Sequence, residues 1–201
     1  MVSTIPTQDK LNMPPSRFRT YIRHEAICFR KTSEAYGGLS NMAPGFPIKI
    51  NDISIRTSEA LYQACRYPHM PEVQRTIISE ASPMTAKMRS KPFRKDSRRD
   101  WEEVKVPIMR WCLRKKLFCN WDKFSRLLIS TDNKPIVEDS SKDSYWGAIP
   151  INGNILEGEN VLGRLLMEIR EKINNNPDYF TTILTPQVSN FVLLGNKIED
   201  Q

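Results

Sequence analysis

The apolar residues of this chain change their spacing once, near Thr57, and that switch restricts the fold more than any single motif does. Before it the sequence is strand-like: Ala26-Ile27-Cys28-Phe29, then Pro47-Ile48-Lys49-Ile50 and Ile53-Ser54-Ile55-Arg56, the last two joined by Asn51-Asp52, a pair suited to a two-residue hairpin turn. After it, helix signals take over. Thr57 or Ser58 can cap a helix that begins at Glu59 and that Pro68 stops, and Ser82-Pro83 starts another running through Arg89. Asp100 is a suitable N-cap for a helix from Trp101 towards Phe118, with Glu102 and Glu103 at its positive end. Within it, Pro107 predicts a kink, or a short turn followed by a second helix. A short helix over 122–129 and a strand at Pro135-Ile136-Val137-Glu138 follow. The last helix begins after Asn160, carries the apolar stripe Leu162, Leu165, Leu166, Ile169 and Ile173, and ends at Asn174-Asn175-Asn176-Pro177. The expected fold is α+β: a mainly helical single domain with a small antiparallel sheet.

A chain of 201 residues, 39% of them hydrophobic, can bury one sizeable core. Residues 1–24, with Pro6, Pro14 and Pro15 among polar neighbours, read as an N-terminal arm, 25–175 as the domain, and 176–201 as a C-terminal tail with one apolar run at 190–194. The net charge of +7 favours phosphate-bearing ligands without requiring them. Cys28, Cys65, Cys112 and Cys119 form no Cys-x-x-Cys pair and have only His24 and His69 to complement them, so no metal site and no cofactor is expected. Met1 to Lys10 lacks the apolar stretch of a secretion signal, and no segment approaches the roughly 20 apolar residues of a membrane span. The expected compartment is the cytoplasm, with free thiols and no membrane partner.

Between Gly37 and Gly163 lie short segments that join carboxylates, amides, tryptophans and glycines: Gly37-Gly38-Leu39-Ser40-Asn41, Ser58-Glu59-Ala60-Leu61-Tyr62-Gln63-Ala64, Asp100-Trp101, Asp143-Ser144-Tyr145-Trp146-Gly147 and Asn160-Val161-Leu162-Gly163. Such groupings at element ends are where ligands usually bind. Glu59, Gln63 and Arg66 share one helix face, which is either a solvated first turn or an acid, an amide and a cation gathered for a ligand. Asp143 is a turn residue beside a core tryptophan, or a second carboxylate with Trp146 as a stacking wall. Asn160 either caps its helix or leaves the first amides to hold phosphate, and Gly163 marks close approach of an element or a ligand. Lys105, Met109, Cys112 and Lys116 share a face if the proline-containing helix is continuous. The two lysines would then stand roughly 16 Å apart and could not both touch one reacting atom. The run 87–99, with Lys87, Arg89, Lys91, Arg94, Lys95, Arg98 and Arg99 against Asp96, is an ordinary solvated loop or a phosphate contact surface.

In this order the motifs resemble the YbiA-like, or NADAR, family, from about Phe29 to Lys172. Ser40-Asn41 matches the early Ser-Asn, Glu59 and Gln63 the Glu-x-x-x-Gln helix, and Asp100-Trp101 with Lys105 and Met109 the Asp-Trp-x-x-x-Lys-x-x-x-Met segment. Lys116, Asp143 with Trp146-Gly147, and Gly158-x-Asn160-x-Leu162-Gly163 with Leu166-Met167 and Arg170 complete the match. Arg66 departs from the family's usual lysine, and Leu117 from its phenylalanine. The resemblance implies an N-glycosidase that cleaves a ribosyl N-glycosidic bond. Its substrate would be ADP-ribose attached to guanine, or a pyrimidine riboside phosphate of riboflavin synthesis, with possible nucleic-acid contact through 87–99. It implies catalytic roles for Glu59, Lys116 and Asp143: the two carboxylates act at the anomeric centre and in proton transfer, and a lysine, Lys116 in preference to Lys105, can also form a Schiff base with the opened sugar. Substrate contacts would come from Ser40, Asn41, Gln63, Trp101, Lys105, Trp146, Gly147, Asn160 and Gly163. A sensor that binds NAD- or ADP-ribose-like ligands without turnover would carry the same fold. A plain nucleic-acid-binding protein lacks any recognised helix-turn-helix or RNA-binding motif.

Overall fold

The computed structural model describes residues 17–200. In chain order its strands are β1 (Arg19–Ile22), β2 (Ile27–Phe29), β3 (Ile48–Ile50), β4 (Ile53–Ile55), β5 (Ile136–Glu138), β6 (Ile149–Pro150), β7 (Ile155–Gly158), β8 (Val192–Leu193) and β9 (Asn196–Lys197). Its α-helices are α1 (Ser58–Ala64), α2 (Pro71–Ser79), α3 (Pro83–Ser90), α4 (Trp101–Cys119), α5 (Trp121–Ile129) and α6 (Val161–Asn175). The strands make four small sheets: antiparallel β1-β7-β6, parallel β2-β5, and the hairpins β3-β4 and β8-β9. The α+β expectation holds, with one parallel pair added to the antiparallel ones.

Local chemistry explains the elements that place the site. Asn51 and Asp52 take φ of 44° and 66°, the left-handed pair that a tight hairpin turn demands, and they set the register Ile48↔Ile55 and Ile50↔Ile53. Ile48, Ile50 and Ile55 therefore all point into the core. Thr57 caps α1 by accepting from the Ala60 N–H at 3.2 Å, and all of Ser58–Ala64 is buried. Pro83 starts α3 behind the Ser82 cap. The short turn and second helix that Pro107 allowed do not form: α4 runs unbroken from Trp101 to Cys119 with the proline inside it. Asp100 does not cap that helix with its side chain; its carboxylate takes Arg98 instead, at 2.6 and 3.0 Å.

Both ends of the domain reach further than the sequence suggests. Residues 19–22, assigned to the arm, pair with β7, while the arm's first sixteen residues lie outside the described range. The supposed tail contributes Phe180, Ile183, Phe191, Leu193 and Ile198 to the core. Its anchor is Gln74, fully buried in α2: Nε2 donates to Ala64 O (3.1 Å) and Val192 O (3.0 Å), and Oε1 accepts from Leu194 N–H (2.6 Å). One amide thus ties α1, α2 and the last hairpin together, satisfying backbone groups that would otherwise be orphaned. Among the described residues no helix is long and apolar enough to cross a membrane.

Candidate active site

The helices α1, α3, α4 and α6, the strand β5 and the segments between elements converge on a cleft of about 680 Å³, measured out to its open mouth. Its walls are Asn41, Met42, Glu59, Tyr62, Gln63, Arg66, Lys87, Arg94, Met109, Glu138, Asp143, Trp146 and Leu162. Glu59 is the buried acid at 6% exposed, Glu138, Asp143 and Arg66 are half-buried, and Lys87 and Arg94 are open to solvent at the rim. The reading of Glu59 as a solvated first-turn acid therefore fails.

Glu59 is held from two directions. Its backbone N–H donates to Asn41 O (3.1 Å), and Ser58 Oγ donates to the same carbonyl (3.1 Å), locking α1 to the loop that carries Asn41. Its carboxylate accepts from Gln63 Nε2 at 3.0 Å, one helical turn away, and Gln63 Oε1 in turn accepts from Ser90 Oγ at 2.8 Å. This chain leaves the carboxylate little freedom to turn. Asn41 points into the same cleft, its Nδ2 against the Met109 sulfur. Asp143 is both a turn residue and a wall of the cleft: its Oδ1 accepts from Tyr145 N–H (3.1 Å) and Trp146 N–H (2.9 Å), which orients the Trp146 indole. Trp146 packs edge-on against Tyr62, centroids 5.6 Å apart.

Other expected site residues stand one layer back. Trp101 lies behind Tyr62 (5.0 Å between centroids), and the Arg66 guanidinium stacks 4.4 Å over its ring. Trp101 thus aims Arg66, and with it lines a basic groove that also includes Arg94, Lys95, Arg98 and Arg99. Lys105 pairs with Glu102 and sits over the Tyr145 ring, outside the cleft walls. Ser40 contributes its carbonyl to Lys116 and its hydroxyl to Met42 N–H.

Lys116 itself is fully buried, away from the cleft walls. Its Nζ donates to Gly38 O (2.6 Å) and Ser40 O (2.9 Å) and rests on the faces of Phe46 and Phe124. Burial, with Lys123 nearby, holds its pKa well below that of a free lysine. These contacts make it the anchor of the Ser40-Asn41 loop, and the lysine among the cleft walls is Lys87. Lys116→Ala would leave two carbonyls without their donor and a cavity between two aromatic rings. We expect a loss of about 3 kcal/mol in chemical denaturation. In the wild-type protein, borohydride added with substrate should leave Lys116 unmodified in peptide mass maps.

The amides at the start of α6 are already used. Val161 N–H donates to Tyr145 O and Leu162 N–H to Trp146 O, both at 3.0 Å, so neither is free for a phosphate. Asn160, left-handed at φ 47°, does not cap its helix. It turns to the strand: Oδ1 accepts from Glu138 N–H (3.2 Å) and Nδ2 donates to Ile136 O (2.8 Å). Gly163 packs where a Cβ would sit 2.1 Å from Ile136 O, and Gly147 where one would sit 2.4 Å from Glu138 O. All three motif residues thus bear on β5, at its first residue, its last, or both.

The residue they surround is Glu138, a cleft wall that none of the sequence motifs contains. Removal of water around its carboxyl, then the charges of Glu59 and Asp143, raise its pKa to about 7, with Lys87 opposing. A signal was available: Ile136 and Glu138 share one face of the strand, so an acid follows a core residue onto the same side.

The sequence model of a family described as "NADAR domain" matches residues 28–174. This chain belongs to the NADAR family. Among its relatives, "N-glycosidase YbiA" of Escherichia coli (strain K12) is 35% identical over 160 residues, covering 78% of this chain and 94% of the relative. "N-glycosidase Npun_R5314" of Nostoc punctiforme is 34% identical, over 74% of this chain and 93% of its own length. "Riboflavin biosynthesis protein PYRR, chloroplastic" of Zea mays is 32% identical over 73% of this chain, which spans 25% of that longer protein. The NMR structure of E. coli YbiA superposes with a TM-score of 0.66 at 34% identity, covering 78% of this chain and 89% of that one. At the cleft, the Arg66 guanidinium stacked on Trp101 offers charge but no nucleophilic amine.

Proposed function

We propose that this chain is an N-glycosidase that hydrolyses a ribosyl N-glycosidic bond, and that its preferred substrate is ADP-ribose attached to guanine. One observation carries the reading: Glu59, Glu138 and Asp143 share a cleft with Arg66, Lys87 and Arg94, the last two open to solvent. Breaking the bond between C1′ and nitrogen builds positive charge on the sugar and negative charge on the departing group. Carboxylates at depth stabilise the first, and cations at the rim hold phosphate on the ribose. Trp146 and Tyr62 supply flat apolar faces for base or sugar. The names of two relatives as N-glycosidases support the reaction class.

One feature supports the larger substrate. Arg66 and Arg94 belong both to the cleft and to the neighbouring groove, where Lys95 and Arg99 are exposed, so a second phosphate or a nucleic-acid strand has cations to meet beyond the first. A pyrimidine riboside phosphate of riboflavin synthesis is the second reading, favoured by the names of longer relatives such as the maize protein. Free thiols at Cys28, Cys65, Cys112 and Cys119 fit a reducing cytoplasm.

The deciding experiment offers both substrates, an ADP-ribosyl-guanine oligonucleotide and the ribosylaminopyrimidine phosphate, and follows released base by mass spectrometry across a salt series. We expect release from the oligonucleotide, with kcat/KM falling steeply as salt rises because several phosphate contacts are lost together. Release only from the small phosphate, nearly independent of salt, would establish the second reading. Saturable ADP-ribose binding with no release from either would leave a sensor.

A further inference from the structure

We propose that Glu138 is the general acid of the reaction, giving its carboxyl proton to the departing nitrogen. The inference rests on the hydrolase reading above and deepens it. Its ground is how the fold treats this one residue. The backbone N–H of Glu138 is received by Asn160 Oδ1 (3.2 Å), its carbonyl accepts from Ala148 N–H (2.8 Å), and Gly147 lets the returning chain close against that carbonyl. Gly163 lets α6 press on Ile136 O, two residues upstream, and Asn160 Nδ2 holds that carbonyl as well. A strand of three residues needs no such cradle to close a core. It does need one to keep a side chain fixed at its last position, where it meets the cleft.

The surroundings suit a proton donor. The charged groups that share the cleft with Glu138 are Glu59 on α1, Asp143 on the following loop, Arg66, and Lys87 and Arg94 on the side of α3. The two acids disfavour a third negative charge beside them, and the cations stand at the rim. The resulting pKa of about 7 keeps a large share of Glu138 protonated at neutral pH, while leaving it acidic enough to give the proton up.

The step balances without a co-reactant other than water. The electron pair of the C1′–N bond goes to nitrogen, which takes the Glu138 proton. Water adds to C1′, its proton passes to the Glu59 carboxylate, and exchange with solvent restores both groups. A leaving group that departs as a neutral base, such as a pyridinium, needs no proton from Glu138.

The test is Glu138→Gln in the full chain, with Glu138→Asp as the conservative variant and thermal melting as the control for folding. On a substrate that leaves as an amide or amine nitrogen, Glu138→Gln should lower kcat by about 10²–10⁴-fold with KM within about threefold. The fall of wild-type kcat/KM above about pH 7 should vanish in Glu138→Gln and persist, shifted, in Glu138→Asp. On a ribosyl phosphate with a pyridinium leaving group the loss should shrink to under about tenfold, because no proton is transferred. A folded Glu138→Gln enzyme with unchanged rate and an unchanged alkaline limb would overturn the assignment and leave the hydrolase intact. Equal losses on both leaving groups, or a loss confined to KM, would make Glu138 a substrate-holding residue and overturn it too. A wild-type protein that releases no base from any ribosyl substrate would remove the hydrolase reading and this one with it.

Discussion

Glu59→Gln should lower kcat by at least about 10³-fold while the protein melts close to the wild-type temperature. The substitution keeps the shape of a side chain that is 6% exposed, and the new amide can turn its oxygen to the Gln63 Nε2 now 3.0 Å from the carboxylate. What it removes is a full negative charge beside the developing cation, in a cleft that excludes much of the water. A second effect follows from the same charge. Glu59 helps to raise the pKa of Glu138, so its loss should lower that pKa, and the alkaline limb of the residual activity should begin at lower pH. Steady-state kinetics from pH 5 to 9 and a thermal melt measure both. A melt lowered by many degrees would mean that Glu59 acts chiefly through the fold.

Gly163→Ala should be the most destabilising small substitution in the site. Its Cβ would lie 2.1 Å from Ile136 O and 2.5 Å from Asn160 Oδ1, against a backbone atom and a side chain that is itself bonded to the strand. Neither can yield alone. Either α6 lifts from β5 or the strand moves, and we expect a cost of about 3 kcal/mol, or roughly 10 °C in melting temperature for a domain of this size. The same movement would carry Glu138 out of register with Glu59, so kcat should fall even at temperatures where the variant is folded. Denaturation and kcat at 20 °C separate these two effects. A substitution at Gly153, where a new Cβ meets nothing within 4 Å, is the neutral comparison.

How much of this was legible in sequence depended on whether the cause was local. The Asn51-Asp52 turn, the Thr57 and Ser82 caps and the stripe on α6 follow from residues within a turn or two of one another, and all are present. The polar face of Glu59 and Gln63 is legible on α1, but its burial is not, because the layers that cover every side of the helix come from distant segments. In sequence, Arg114, Lys115 and Lys116 form a run of three bases of the kind that usually faces solvent, yet both lysines are buried, Lys116 because carbonyls and ring faces from distant segments receive it. Asn160 and Gly163 carry a sequence signal of closeness, but what they approach is β5 and not a ligand, and only the packing of α6 on that strand decides it. The last residues were misread as a tail because their anchor, Gln74, lies far back in the chain. Glu138 was missed for a related reason: three strand residues are too short a run for alternation to stand out.

The most direct test of the account is a crystal structure of Glu59→Gln with uncleaved ribosyl substrate bound. The account predicts C1′ of the ribose beside residue 59, the leaving nitrogen within hydrogen-bond reach of the Glu138 carboxyl, and phosphate against Arg66, Lys87 or Arg94. Substrate seated elsewhere, or bound with its phosphate inward and its glycosidic bond in solvent, would contradict it.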